Sequence, residues 1–346
     1  MTLIYFIIVL GVTVFIHELG HFIFAKKAGI YVYEFSLGMG PKIFQKHSKT
    51  SETVYSIRLF PIGGYVQMAG ESVEDDKNIP EDKRLQSKTW IQRLLTIVAG
   101  VMFNFLLAIV LFFIIGLFRG APSREVYIHE VSEDSSASIA GLTANSQILK
   151  FNGKKIHSQT DLALEFEISN GKTFEFEIKE ENGNKKIVKI EPTSEEKDGK
   201  KIYHYGFSYS TKTKKGFINA LIYSITNFID LIKQIIMVLF YLFTGKLSLS
   251  NLSGPVGIYT VVGEASKYGF FTMINLIGLL CVNVGFMNIL PLPAFDGGRL
   301  LFLVIEKIKG KPVDAKIENT IHSVGMVLLM VLMVLITWND ITRLIK

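Results

Sequence analysis

The sequence predicts an α-helical polytopic membrane protein with four transmembrane helices, a small β-hairpin sheet at the cytoplasmic face, and an inserted soluble α+β domain. Three observations predict it. Apolar stretches of about 20 residues, enough to cross a ~30 Å hydrocarbon core, recur along the chain. Hydrophobic residues make up 49 % of the chain and aromatics 12 %, and the mean hydropathy is +0.34, the composition of a membrane protein carrying a polar part. Residues 122 to 208 are charged and rich in short β-type runs, a different material from their surroundings.

The net charge of +6 does not call for a nucleic-acid partner. Its positive residues sit mainly between Lys26 and Arg93 and between Arg299 and Lys316, flanking apolar spans as the positive-inside rule requires. The single cysteine, Cys281, excludes both a disulfide scaffold and a Cys-rich zinc site.

The first apolar segment, Leu3 to Ala25, lacks a basic n-region and a small-residue cleavage site, so it is a retained span rather than a signal peptide. Inside it stands V-F-I-H-E-L-G-H-F, residues 14 to 22. Ionisable groups at membrane depth are costly and usually functional. His17 and His21 are four apart, so a helix points both imidazoles to one face, where they can hold one divalent metal. Glu18 beside them is placed to act as a base. The competing structural reading is a histidine pair hydrogen-bonded between helices with Glu18 neutral.

The next interval carries T-V-Y-S-I-R-L-F-P-I-G-G-Y-V-Q-M-A-G, residues 53 to 70, with alternation broken by Pro61, Gly63 and Gly64, which reads as a hairpin. Upstream, Gly38 and Gly40 precede another strand-like run. A Gly-rich hairpin leaves an edge open for an extended peptide. Its glycines do not satisfy G-x-G-x-x-G, so no nucleotide site is expected. The second span, Leu94 to Phe118, follows.

Residues 122 to 208 form a soluble domain of about 85 residues. The run from Ser136 to Ile156 resembles the core of a PDZ domain, with a helix starting at Ala140-Gly141-Leu142, a strand, and an Asn152-Gly153 turn. Ser146 and Gln147 stand where Gly-Asp is usual.

Phe217 to Phe243 decides the topology. Four crossings put His17 and the region after Leu290 on one side; five put them on opposite sides. Asn219, Thr226, Asn227, Asp230, Lys233 and Gln234 form a polar stripe roughly 120° wide. Such a helix suits the interface, although a span lining a cavity stays open. Thr272 to Leu290 and Ser323 to Trp338 complete the apolar segments. The organisation is then 1–121, with the metal-binding helix, sheet and second span; 122–208, the PDZ-like domain outside; 209–271, the amphipathic helix and linker; and 272–346, the second membrane part.

A zinc site needs a third protein ligand. N-I-L-P-L-P-A-F-D-G-G, residues 288 to 298, offers Asp296, hung from a helix that Pro291 and Pro293 break; unwound backbone at membrane depth belongs in protein or beside a wet cavity. At ~1.5 Å per helical residue, His17 and Leu290 approach the cytoplasmic side to similar depths.

With these motifs, G-G-Y-V-Q-M (63–68), A-G-V-M-F-N-F (99–105) and S-G-P-V-G-I (253–258), nearly the whole chain resembles an intramembrane zinc metalloprotease of the site-2 protease family, close to the bacterial regulator-of-sigma proteases. Phe295 replaces the usual Leu. The resemblance implies Zn2+ held by His17, His21 and Asp296, Glu18 as catalytic base, and Asn104 and Asn288 beside the active site, where they contact substrate. Gly63 and Gly64 are the expected strand-type substrate contacts. It further implies single-span membrane substrates, such as anti-sigma factors or remnant signal peptides, trimmed first by an upstream site-1-type protease. The location implied is the bacterial cytoplasmic membrane. A membrane zinc carrier and a catalytically idle PDZ scaffold are the alternatives; neither needs Glu18.

Overall fold

The computed structural model describes residues 1–48, 51–71, 76–169, 171–197, 200–247 and 253–345. In chain order the elements are α1 (Thr2–Lys27), β1 (Val32–His47), β2 (Val54–Met68), α2 (Trp90–Arg119), β3 (Ala121–Val131), α3 (Ser136–Ile139), β4 (Gln147–Phe151), β5 (Lys154–Lys155), α4 (Gln159–Ser169), β6 (Phe174–Lys179), β7 (Lys185–Ile190), β8 (Thr193–Lys197), β9 (Lys200–His204), β10 (Phe207–Lys214), α5 (Phe217–Phe243), α6 (Pro255–Lys267), α7 (Phe270–Ile289), α8 (Asp296–Lys309) and α9 (Ala315–Ile345). Among the described residues, α1, α2, α5, α7 and most of α9 are long and apolar enough to cross a membrane. The chain divides into two compact units, residues 1–111 with 249–346, and residues 112–248.

In the first unit α1 is the central helix. Its N-terminal half packs Val9 against Val262 and Ala265 of α6 and Leu276 and Leu280 of α7. Its C-terminal end packs Ala25 and Phe22 against Val32, Phe35, Val66 and Met68 of the sheet. Lys26 and Lys27 close the helix, where cations complement the helix dipole.

The sheet differs from the hairpin expected within residues 53–70. Residues 32–37 pair on one side with 64–68 (Val32 opposite Met68, Leu37 opposite Gly64) and on the other with 54–57. Residues 42–47 then pair with 54–58, giving the order 64–68, 32–37, 54–58, 42–47. The two halves of β2 therefore never pair with each other. Leu37 stands opposite both Gly64 and Ile57, so residues 32–37 lie between the two runs and Gly63-Gly64 does not close a turn between them. The segment around Pro61 instead swings the chain past the end of residues 32–37. Glu34, buried between strands, accepts bonds from Ser56 and from Arg58 at 2.9 Å, and Arg58 also reaches the Tyr65 hydroxyl. Burial raises the Glu34 pKa, but these bonds and Lys42 outweigh it and hold the group down to about 2.

The second unit holds an antiparallel sheet in the order β10-β3-β4-β6-β7, with β5 beside β4 and a separate β8-β9 hairpin. Ile128, Phe151, Leu162, Phe174, Phe176 and Ile178 fill its core. The helix expected to start at Ala140 in fact ends there: α3 spans Ser136–Ile139, capped by Ser135, and Gly141 at φ 79° terminates it. Glycine takes that left-handed backbone without a Cβ clash, so A-G-L marks a helix stop. Asn152 and Gly153, both at positive φ, form the expected turn.

Helix α5 lies against this sheet domain. Arg124 of β3 donates to both oxygens of buried Asp230, at 2.8 and 3.2 Å, and Tyr241 meets Lys154 at 3.3 Å and Glu165 at 3.4 Å. The opposite face exposes Ile218, Ile222, Ile225, Ile229, Ile236 and Phe240.

Candidate active site

Helix periodicity places His17 and His21 on one face of α1, both buried, with their Nε2 atoms 3.2 Å apart. The Nδ1 of His21 lies 2.8 Å from the Thr96 carbonyl of α2. A carbonyl only accepts, so that nitrogen carries the hydrogen and Nε2 keeps a free lone pair. Behind His17, the fully buried Asn104 puts its amide nitrogen 3.5 Å from Nδ1, while its Oδ1 has no partner among the described residues. Rotating the amide by half a turn brings Oδ1 to that nitrogen as an acceptor and leaves the His17 Nε2 free as well. The two helices approach at glycines: a Cβ on Gly20 would strike the backbone of Ala99, and one on Gly100 would overlap both imidazoles.

Asp296 reaches the same point from the break after α7. Helix α7 stops at Ile289, the chain passes Pro291 and Pro293, and Asp296 opens α8. Its Oδ2 is buried, accepts no hydrogen bond among the described residues, and stands 3.2 Å from the Nε2 of His17 and 3.2 Å from that of His21. Three donor atoms at 3.2 Å from one another form a near-equilateral triangle. Tetrahedral zinc with bonds of about 2.0–2.1 Å requires donors about 3.3 Å apart, so two imidazoles and a carboxylate fit one face of that tetrahedron.

These groups open onto a cavity of about 860 Å³. Glu18, Asn288 and Asp296 line it, and so do Tyr65, Val66, Gln67 and Met68. The last four belong to residues 64–68, whose ladder partners among the described residues all lie on β1, so the outer edge of that strand faces the cavity. Gly64 passes directly over Glu18: a Cβ there would come 3.1 Å from its Cγ. At the strand's end Met68 N–H donates to Glu71 at 3.1 Å, and Glu71 pairs with Arg299 of α8. Arg93 of α2 holds the same helix through Glu306 at 2.7 Å.

His17, Glu18, His21 and Asp296 thus converge, with Asn288 on the cavity wall, its amide donating to Val284 O at 3.0 Å. Asn104 stands behind a histidine instead, outside the cavity lining. Sequence reasoning passes over Thr96, Glu71, Arg299 and His322. Thr96 acts through its carbonyl, which leaves no trace in residue type. Arg299 carries a signal, since a cation one helical turn after Asp296 requires a partner at that depth.

The model of "Peptidase family M50" matches residues 5–332. The regulator of sigma-W protease RasP of Bacillus subtilis is 34 % identical, over 99 % of this chain and 99 % of its own length. A zinc metalloprotease RasP of Geobacillus kaustophilus is 33 % identical over 99 % and 98 %. A putative zinc metalloprotease of Clostridium acetobutylicum is 35 % identical over 97 % and 96 %.

Proposed function

The chain belongs to peptidase family M50 and is a multi-pass zinc metalloprotease of the site-2 type, and on that premise we propose that it hydrolyses a peptide bond within the transmembrane segment of single-span membrane proteins. The observation that carries this reading is the junction of Glu18, the three-donor triangle and an open strand edge in one cavity. His17, His21 and Asp296 hold the zinc. When bound, zinc supplies a Lewis acid that polarises the scissile carbonyl and acidifies water.

The chain's own groups do the rest. The Glu18 carboxylate takes a proton from the attacking water and delivers it to the leaving nitrogen. A peptide bond inside a helix is shielded by the helix's own hydrogen bonds, so the substrate must unwind. Residues 64–68 receive the unwound stretch as an added strand, with Gly64 keeping a side chain clear of Glu18 and Gly63 leaving room for Met39 at the strand's start. Asn288 contacts the substrate from the wall.

We read the membrane topology as four crossings. Asp230 and Tyr241, about 16 Å apart along the helix, fasten the second half of α5 to the sheet domain. A helix bonded there to a polar domain keeps that face out of lipid, while its exposed isoleucines suit the interface. Single cysteines at Ser87 and Lys311, in a Cys281→Ala background, should label from one side and a cysteine at Ser194 from the other. Labelling of Ser87 and Lys311 from opposite sides would restore a fifth crossing.

The relative named for sigma-W comes from a bacterium, which supports a bacterial membrane and substrates tied to sigma-factor control, such as anti-sigma factors; the family resemblance adds remnant signal peptides as substrates and prior trimming by an upstream site-1-type protease. The inserted domain, read as PDZ-like, acts as a filter against untrimmed ectodomains; if its deletion left untrimmed substrates uncut, that role would fall. The test of the activity is a single-span reporter in lipid vesicles with cleavage sites mapped by mass spectrometry. Cuts within the apolar span, lost on zinc removal and regained on zinc return, are expected. Zinc-independent cuts, or cuts confined to the flanks, would overturn it.

A further inference from the structure

Ala294, two residues before Asp296, holds φ at 75°, a left-handed backbone that residues with a Cβ disfavour. Its N–H donates to His322 Nδ1 of α9 at 3.2 Å. Accepting at Nδ1 fixes the neutral imidazole with its hydrogen on Nε2, and that Nε2 is buried without a partner among the described residues. A buried donor left unsatisfied calls for a reason, and here the ring's other nitrogen supplies one. The same face of α9 carries Gly325, where a Cβ would strike Pro293, and His322 Cε1 is the atom a Cβ on Gly298 would approach at 3.0 Å. The last helix therefore grips the loop on both sides of the Asp296 carboxylate.

We propose that His322 is a positioning residue for the zinc site: by accepting the Ala294 N–H it holds the strained loop in the one conformation that aims Asp296 at His17 and His21. The inference rests on Asp296 being the third zinc ligand. Helix α9 otherwise exposes most of its side chains, and nothing else in the loop supplies a side-chain acceptor for this N–H. The loop's own bonds, Leu292 to Leu290 O at 2.7 Å and Gly298 to Phe295 O at 3.1 Å, leave Ala294 to His322.

The full-length chain, with zinc affinity measured against a chromophoric chelator, decides the matter. His322→Ala and His322→Gln should each weaken zinc binding about 10- to 100-fold, the range for losing an outer partner of a ligand. His322→Asn should stay within about threefold of wild type, because its Oδ1 lies where Nδ1 was. Ala294→Gly added to His322→Ala should recover most of the loss, since glycine takes positive φ unaided. Wild-type affinity in His322→Ala, a Gln variant as good as Asn, or a double variant no better than His322→Ala would each overturn the proposal. If His322→Ala does not fold, the Asn and Gln pair still decides. Asp296→Asn separates the two levels: undiminished zinc affinity there removes the ligand assignment itself, whereas loss there beside a normal His322→Ala removes only this inference.

Discussion

Helices α1 and α5 both bury acidic or basic side chains in an apolar helix, and they do it in opposite ways. In α1 the polar groups His17, Glu18 and His21 crowd into little more than one turn and converge on a carboxylate from another helix. In α5 they are strung along the length, and Asp230 and Tyr241 are answered by Arg124, Lys154 and Glu165 of the sheet domain. Clustering concentrates unpaired donor capacity at a point, which is what a metal needs. A stripe spreads pairing along a face, which is what docking needs. The distribution of polar residues along a helix separates a site from a seam, where their number does not.

The comparison breaks if α1 tolerates loss of convergence. The largest effect is expected from Asp296→Asn, which replaces a charged ligand by a neutral amide. Zinc affinity should fall by more than the roughly 100-fold that losing an outer partner costs, read by metal analysis after dialysis; an unchanged content would place the third ligand elsewhere. Next comes Gly100→Ala, whose methyl would overlap both imidazoles. Overpacking of this kind costs about 1–3 kcal/mol, or roughly 5- to 150-fold in zinc affinity, and normal zinc binding would show that the helices separate freely there.

The smallest effect sharpens the α5 side. Arg124→Ala should loosen α5 by only about 1 kcal/mol, because Arg124 is half-exposed and solvent screens the pair. Hydrogen exchange along α5 should quicken while zinc affinity stays within about twofold. A loss of zinc in that variant would mean that the seam and the site are not separate.

The two helices also differ in how far their roles can be read from sequence. The α1 cluster is legible because H-E-x-x-H encodes its geometry in four-residue spacing, and Asp296 is legible because Pro291 and Pro293 mark a break that lipid does not tolerate. The partner of Asp230 is not: Arg124 lies 106 residues away, and no local pattern joins them. The sheet order is hidden for the same reason, since residues 32–37 pair on both edges and alternation alone cannot say with which run. Helix α6 was announced by Gly254-Pro255, a proline at the first helical position, a local signal that goes unused when S-G-P-V-G-I is taken only as a motif. Asp296, taken as a loop residue, opens α8, so the proposed third ligand also sits at a helix N-terminus that favours negative charge.

The most direct test of the central claim, that the α1 cluster is a working zinc protease centre, is a paired measurement on Glu18→Gln. Zinc per chain and cleavage of the single-span reporter are determined on the same preparation. The variant should keep one zinc per chain and lose cleavage by at least about 100-fold, the lower range for removing a general base. Cleavage near the wild-type rate with zinc retained would contradict the role of Glu18, and with it the account of why this carboxyl stands between two histidines in an apolar helix.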